Sequence, residues 1–389
     1  MEEIMIIKRP PMGWNSWNTF GTNINEDLIK ETADAIVATG LKDAGYEYVV
    51  IDDCWSVRDE RDEKGNLIKS GRDAEGRLVA DPEKFPSGMK ALADYIHSKG
   101  LKFGMYSCDG PLTCAGYPAS YQYEFIDAKT FAEWGVDYLK YDNCYKPNVP
   151  GRNLYNRMSM ALKASGRDIV FSACNWGAEA VETWIRSTGA HLYRSTGDIN
   201  DSFGSFRDLT NSQLGKWPYS ATGCYNDIDM LICGMYGKGN VAVSGCTDLE
   251  YRTHFAIWSV LGTALMIGCD VRNMNEATLE LLKNKDLIEF NQDEDARPPY
   301  IIHNEDNKIS FLRHLANGEY VIMHINFSDV DAIVPCNLDV TGITKDTGYC
   351  FDVRDIFTGE EQSGVIECFC QKVAAHDCKV YRAKLVPQK

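Results

Sequence analysis

Short apolar runs, each ending in polar or acidic residues, recur along the first three-quarters of this chain, with helix-patterned stretches between them. Tyr46–Ile51 runs into Asp52-Asp53-Cys54-Trp55, and Leu101–Tyr106 into Ser107-Cys108-Asp109. Val136–Tyr141 runs into Asp142, and Asp168–Ala173 into Cys174-Asn175-Trp176. His191–Tyr193 leads to Arg194 and Asp198, and Thr263–Ile267 to Asp270. Between them, Asn25–Gly40 sets Leu28, Thr32, Ala35, Ile36 and Thr39 near one helical face, with Asn25 to cap it and Gly40 to end it. Ser87–Gly100 carries a Met89, Leu92, Ala93, Ile96 stripe, and Phe125–Trp134 is a third helix. Buried strands alternating with helices predict a parallel sheet. The span suits an α/β fold of eight units closed into a (β/α)8 TIM barrel, which takes ~250 residues. A doubly wound open sheet is the alternative. It would more often carry a Gly-x-Gly-x-x-Gly turn, which is absent here.

After Arg297-Pro298-Pro299 the rhythm changes. Ile309–Arg313, Glu319–Ile325 and Tyr349–Val353 are strand-like and separated by Asn317-Gly318, Thr347-Gly348 and Thr358-Gly359. These predict a catalytic barrel over 1–297 and an antiparallel β-sandwich over 298–389. The charged, glycine-rich stretch Arg58–Pro86 reads as turn-bearing hairpins inserted after the Asp52-Asp53 strand, placed to wall a pocket.

Composition narrows the function. A net charge of −16 argues against nucleic-acid binding. No apolar stretch is long enough to span a membrane. Met1–Lys8 lacks the pattern of a secretory signal, so a cytoplasmic location is expected. The 14 cysteines form no Cys-x-x-Cys pair, and Cys368-Phe369-Cys370 is too tight for a usual zinc site. No protein-held metal is expected. Most cysteines should be free and buried, with Cys114 and Cys144 the pair most worth testing.

The segment Tyr138-Leu-Lys-Tyr-Asp142-Asn-Cys144 is the most informative. Residues two apart on a strand share a face, so Lys140 and Asp142 point the same way. At the carboxyl lip of a parallel barrel, that is where chemistry is done. An ordinary ion pair is the bland alternative. A retaining glycosidase needs an ionised carboxylate nucleophile and a protonated carboxylic acid opposite it. Asp142 suits the first role, with Lys140 helping to keep it ionised. Asp198, at the end of another strand, suits the second, its proton held by the charge on Asp142. Asp198 could instead cap a helix near Asn200-Asp201, or merely pair with Arg194. Asp52 and Asp53 need hydroxyl or amide donors to sit side by side; sugar hydroxyls would serve, and a turn-forming role is the alternative. Trp14, Trp17, Trp55 and Trp176 fall near predicted strand ends, where indoles pack on sugar faces or simply fill the core.

The chain resembles glycoside hydrolase family 27, the melibiase-type α-galactosidases and α-N-acetylgalactosaminidases. The resemblance rests on Pro11–Trp17, Ile51–Trp55, Cys114–Pro118, Asp127–Trp134, Tyr138–Cys144, Cys174–Gly177, Arg194–Asp198, Asn226–Leu231 and Asn291–Asp293, in family order. It implies retaining hydrolysis through a covalent glycosyl-aspartate, without metal or organic cofactor. It makes Asp142 the nucleophile and Asp198 the acid/base. Substrate-binding roles fall to Trp17, Asp52, Asp53, Tyr106, Lys140, Cys174, Asn175, Trp176 and Arg194. The implied partner is a galactose-containing oligosaccharide or glycoconjugate, with the β domain a candidate surface for self-association. Asn175 matches the residue facing the substituent at sugar carbon 2. With Ala178 it favours galactose while leaving N-acetylgalactosamine open, and β-L-arabinopyranose is a further family option. Cys114 and Cys144 match a family disulfide. Cys54 lacks its usual upstream partner, which fits a mostly reduced protein.

Overall fold

The computed structural model describes residues 6–388. The amino-terminal reading above rests partly on residues outside that range. Eight parallel strands form the first sheet: β1 (Met12–Asn15), β2 (Tyr48–Val50), β3 (Lys102–Cys108), β4 (Tyr138–Asp142), β5 (Val170–Cys174), β6 (Leu192–Arg194), β7 (Tyr225–Asp227) and β8 (Leu265–Ile267). From β1 to β7 each pairs with the next in chain order, and β8 pairs with β1. A parallel bridge from Leu231, just beyond β7, to Ile267 closes the ring.

Side-chain alternation sorts residues between the inside of the barrel and its helical coat. Tyr48, Val50, Tyr138, Val170, Leu192, Tyr225 and Met266 meet in one interior cluster. The opposite parity, including Val49, Phe103, Leu139, Phe171 and Tyr193, packs into the main core with the helices. Gly104 makes room in the interior. A Cβ there would lie 2.6 Å from Val50 Cγ2.

The three predicted helices form over Glu26–Ala38, Gly88–Ser98 and Glu124–Trp134. Asn25 caps the first by accepting from Leu28 N at 2.9 Å, and Met89, Leu92, Ala93 and Ile96 are all buried. Strands β1 and β7 had no apolar run to announce them. Each is short and ends in polar residues, of which Asn15 reaches the site through Asp52. The insertion is turn-bearing as expected. Glu60–Arg61 pairs with Leu67–Lys69, and Arg72 bridges Leu78. Arg72 also holds both carboxylate oxygens of Asp127, at 2.7 and 2.9 Å, and the Ala119 carbonyl. The insertion therefore lies against the loop that carries Cys114.

Beyond the barrel, Tyr300–Glu305, Lys308–His314, Tyr320–Asn326, Cys378–Pro387, Tyr349–Asp355 and Glu361–Val365 form a six-stranded sheet, antiparallel throughout. A second, two-stranded sheet (Ala332–Val334 with Gln371–Val373) completes the sandwich, whose core includes Ile322, Phe351, Val353 and Tyr381. Buried Arg313 reaches from this domain to the carboxyl end of the barrel helix Asp248–Leu261. There it donates to the Val260 carbonyl at 2.8 Å, a favourable place for a cation. His376 stacks on Phe203 of the barrel, ring centroids 3.6 Å apart, and sits between Glu250 and Asp329.

Candidate active site

The inward parity that fills the barrel with apolar side chains continues to its carboxyl lip, where the same faces turn polar. Asn15 follows Gly13 on β1, Asp52 follows Val50, Lys140 and Asp142 follow Tyr138, Cys174 follows Ser172, and Arg194 follows Leu192. Tyr106 follows Gly104 on β3. Strand register sets Tyr106 beside Lys140, and Asp142 beside Cys174.

Asp142 is buried, and its Oδ2 accepts from the Tyr106 hydroxyl at 2.9 Å. Its Oδ1 accepts from Asn143 N at 2.9 Å. Burial pushes its carboxyl above the ordinary range, while Lys140, the Asn143 amide and Tyr106 pull it back. Lys140 was expected to keep Asp142 ionised. Its charge acts in that direction, but desolvation outweighs it, and its short contact is to Asp52 Oδ2 at 2.7 Å.

Asp52 Oδ2 also accepts from Asn15 Nδ2 at 2.8 Å. Asp53 Oδ1 accepts from Cys54 N at 2.6 Å, and its Oδ2 from Ala115 N at 2.9 Å. The pair is thus held by amides and an ammonium. Burial raises the Asp53 carboxyl above the ordinary range.

On the other side of Asp142, Cys174 is buried, and Arg194 Nη1 lies 3.7 Å from its sulfur. Burial is the main force raising the Cys174 thiol, which also feels Asp142, Arg194, Lys140 and Asp198. Both candidate carboxylates therefore act on the same sulfur. Arg194 is buried and binds two carboxylates, Asp198 Oδ1 and Asp229 Oδ2, each at 2.7 Å. It is no surface partner. Asp198 is three-quarters exposed. It does not cap the next helix: Ser202 caps Phe203–Gln213.

Asn175 is buried. Its Nδ2 donates to the Ala178 carbonyl at 3.0 Å, and its Oδ1 has no partner among the described residues. Trp176 is 39% exposed in a left-handed backbone conformation (φ 59°). Trp17 is partly buried against the interior cluster. Trp14 and Trp55 are core residues instead, their indoles donating to the Cys269 and Tyr106 carbonyls.

Three residues at the lip lie in segments the sequence singles out but receive no role there. Asn15 precedes Ser16 in a motif noted only for its tryptophans. Asp229 takes Ile199 N at 2.7 Å as well as Arg194, and burial pushes it up to about 6. Asp109 is buried with neither carboxylate oxygen partnered among the described residues, and burial pushes it up to about 8. Cys114 and Cys144 form a disulfide, with Cys114 Sγ 3.7 Å from Asp142 Oδ2. Cys54 is a free, buried thiol. A separate cavity of about 540 Å³, near Lys163, Arg186 and His191, lies by the amino ends of β5 and β6, away from this lip.

A closed parallel barrel with aspartates, a lysine, an arginine and a tyrosine converging at its carboxyl lip defines a glycoside-cleaving enzyme. The "Alpha galactosidase A" family profile matches residues 9–293, and the "Alpha galactosidase C-terminal beta sandwich domain" profile matches 305–383. Alpha-galactosidase 3 of Arabidopsis thaliana is 42% identical over 390 aligned positions, covering 98% of this chain and 83% of the relative. The crystal structure of α-galactosidase I from Mortierella vinacea superposes with a TM-score of 0.88 at 35% identity, covering 98% and 97% of the two chains. A GH27 β-L-arabinopyranosidase from Geobacillus stearothermophilus superposes at 0.85 with 25% identity, covering 97% of each. The chain belongs to the melibiase-type α-galactosidases of glycoside hydrolase family 27.

Proposed function

We propose that this enzyme removes terminal α-D-galactosyl residues from oligosaccharides or glycoconjugates by double displacement, with Asp142 as nucleophile and Asp198 as acid/base. The observation that carries this reading is the environment of Asp142. A buried carboxylate at a barrel lip is held by Tyr106 and Asn143, and lies across Cys174 from the Arg194–Asp198 pair. Attack by Asp142 on the anomeric carbon forms the glycosyl-aspartate while Asp198 protonates the leaving oxygen. Asp198 then takes a proton from water, which releases the sugar with its original configuration.

Asp52, Asp53 and Lys140 supply acceptors and a donor for the sugar's outer hydroxyls. Pairing those groups is what rejects sugars that lack a matching hydroxyl. Asn175 offers an open acceptor, Oδ1, for a hydroxyl at carbon 2. β-L-Arabinopyranoside is the second reading, favoured by the Geobacillus likeness; the intact Asp52-Asp53 pair favours galactose. Side-by-side kinetics on chromogenic α-galactoside, α-N-acetylgalactosaminide and β-L-arabinopyranoside test the assignment. The galactoside should have the highest kcat/KM, and the first sugar released should be the α anomer. A preference for either other sugar, or an inverted product, would refute it.

A further inference from the structure

The disulfide beside Asp142 joins two loops that are each anchored without it. Cys144 N donates to Cys108 Sγ at 3.0 Å, and Cys108 Sγ donates to the Cys144 carbonyl at 3.1 Å. On the other side, Ala115 N is held by Asp53 Oδ2 at 2.9 Å, and Thr113 N by the Tyr117 carbonyl at 2.8 Å. Opening the bridge would therefore leave both sulfurs close to where they are, with the two Cα atoms 5.1 Å apart. The ligand atoms of Cys114, Cys144 and Asp142 all lie within 4.8 Å of one another, and Cys114 Sγ is 3.7 Å from Asp142 Oδ2. A tetrahedral zinc ion with ~2.3 Å bonds to sulfur and ~2.0 Å bonds to oxygen separates its ligands by roughly 3.5–3.8 Å. Rotation of the freed thiols about their side-chain bonds is enough to reach that spacing.

We propose that the reduced enzyme binds a thiophilic divalent cation, of the zinc and cadmium class, through Cys114, Cys144 and Asp142, and that this ion blocks catalysis. The inhibition rests on Asp142 being the nucleophile; the metal site does not. A small dithiol opens the bridge, giving two protein thiols and its own cyclic disulfide. The cation then displaces one proton from each thiol and binds two thiolates and one carboxylate, with solvent in the fourth position. Cys114 is exposed and offers the entry, while Asp142 and Cys144 are buried behind it. In the oxidised enzyme the sulfurs are spent on each other and a single carboxylate is left, too little to hold such an ion. The pair thus makes the enzyme sensitive to soft metals only after reduction, a property distinct from any cofactor requirement.

The full-length enzyme, reduced with a dithiol and desalted without oxygen, is titrated with Cd²⁺ and separately with Zn²⁺. One equivalent of Cd²⁺ should produce a thiolate-to-metal ultraviolet band. In step with it, activity should fall at least tenfold relative to the same metal-free reduced sample, and a chelator should restore it. The oxidised enzyme, Cys114→Ser and the Cys114→Ser/Cys144→Ser double variant should lack that equivalent, each measured against its own metal-free rate. Absence of the band in reduced enzyme, or an undiminished band in both variants, overturns the metal site. A stoichiometric band lost in the variants, with hydrolysis unaffected by metal, overturns the proposed block at Asp142; whether Asp142 is the nucleophile is then read separately from Asp142→Asn, which should be inactive without any metal.

Discussion

The Tyr106 hydroxyl donates to Asp142 Oδ2 at 2.9 Å from the neighbouring strand, where its own register partner is Lys140, two residues before Asp142. The bond orients the carboxylate and stabilises its charged form against the burial that opposes it. Tyr106→Phe removes that bond with little change of shape. A bond to a charged group is worth ~1.5–3 kcal/mol, so kcat should fall about 10- to 100-fold with Tm nearly unchanged. Unaltered kcat in steady-state assays would show that the hydroxyl is idle.

Asp142→Asn keeps the shape and removes the nucleophile. Turnover should drop on the order of 10⁴-fold or more with the circular dichroism spectrum intact. Asp198→Asn should cost ~10²–10⁴-fold on natural oligosaccharides and much less on substrates with very good leaving groups, which need little proton donation. Equal losses on both substrate types contradict the acid/base role.

Lys140→Met leaves Asp52 buried beside Asn15 without its 2.7 Å cation. Removing one member of a buried pair costs about 3–5 kcal/mol. Denaturant unfolding should show that loss, together with a raised KM.

Asp109 gives a pH signature. Its folded carboxyl titrates at about 8, against an ordinary value of 3.8. Across that window the folded chain holds a proton that the unfolded chain has released. Stability is therefore full below about pH 4 and falls as pH rises toward 8. Asp109→Asn cannot ionise, so relative to it the wild type should lose a few kcal/mol between pH 5 and 8.5. Parallel Tm curves for the two proteins over that range would refute the assignment.

Much of the barrel was legible because β3, β4 and β5 are buried on both faces and read as apolar runs. Strands β1 and β7 were not. Asn15 and Asn226 spend polar side chains on internal hydrogen bonds, which periodicity registers as loop. Asp142, Lys140 and Arg194 stood out because charge at the end of an apolar run is conspicuous. Asp229 did not, because its meaning depends on Arg194 arriving from β6. Desolvation of Asp142 was likewise hidden: local sequence shows the nearby lysine but not the depth of the pocket. The indoles of Trp14 and Trp55 turn inward to distant carbonyls, an outcome set by tertiary packing.

Arg313 fastens the β-sandwich onto the last carbonyls of a helix that belongs to the barrel. Chimaeras that exchange the tail between relatives must therefore carry over a guanidinium at this point or rebuild the helix end. A barrel expressed by itself would expose polar groups that evolved under cover.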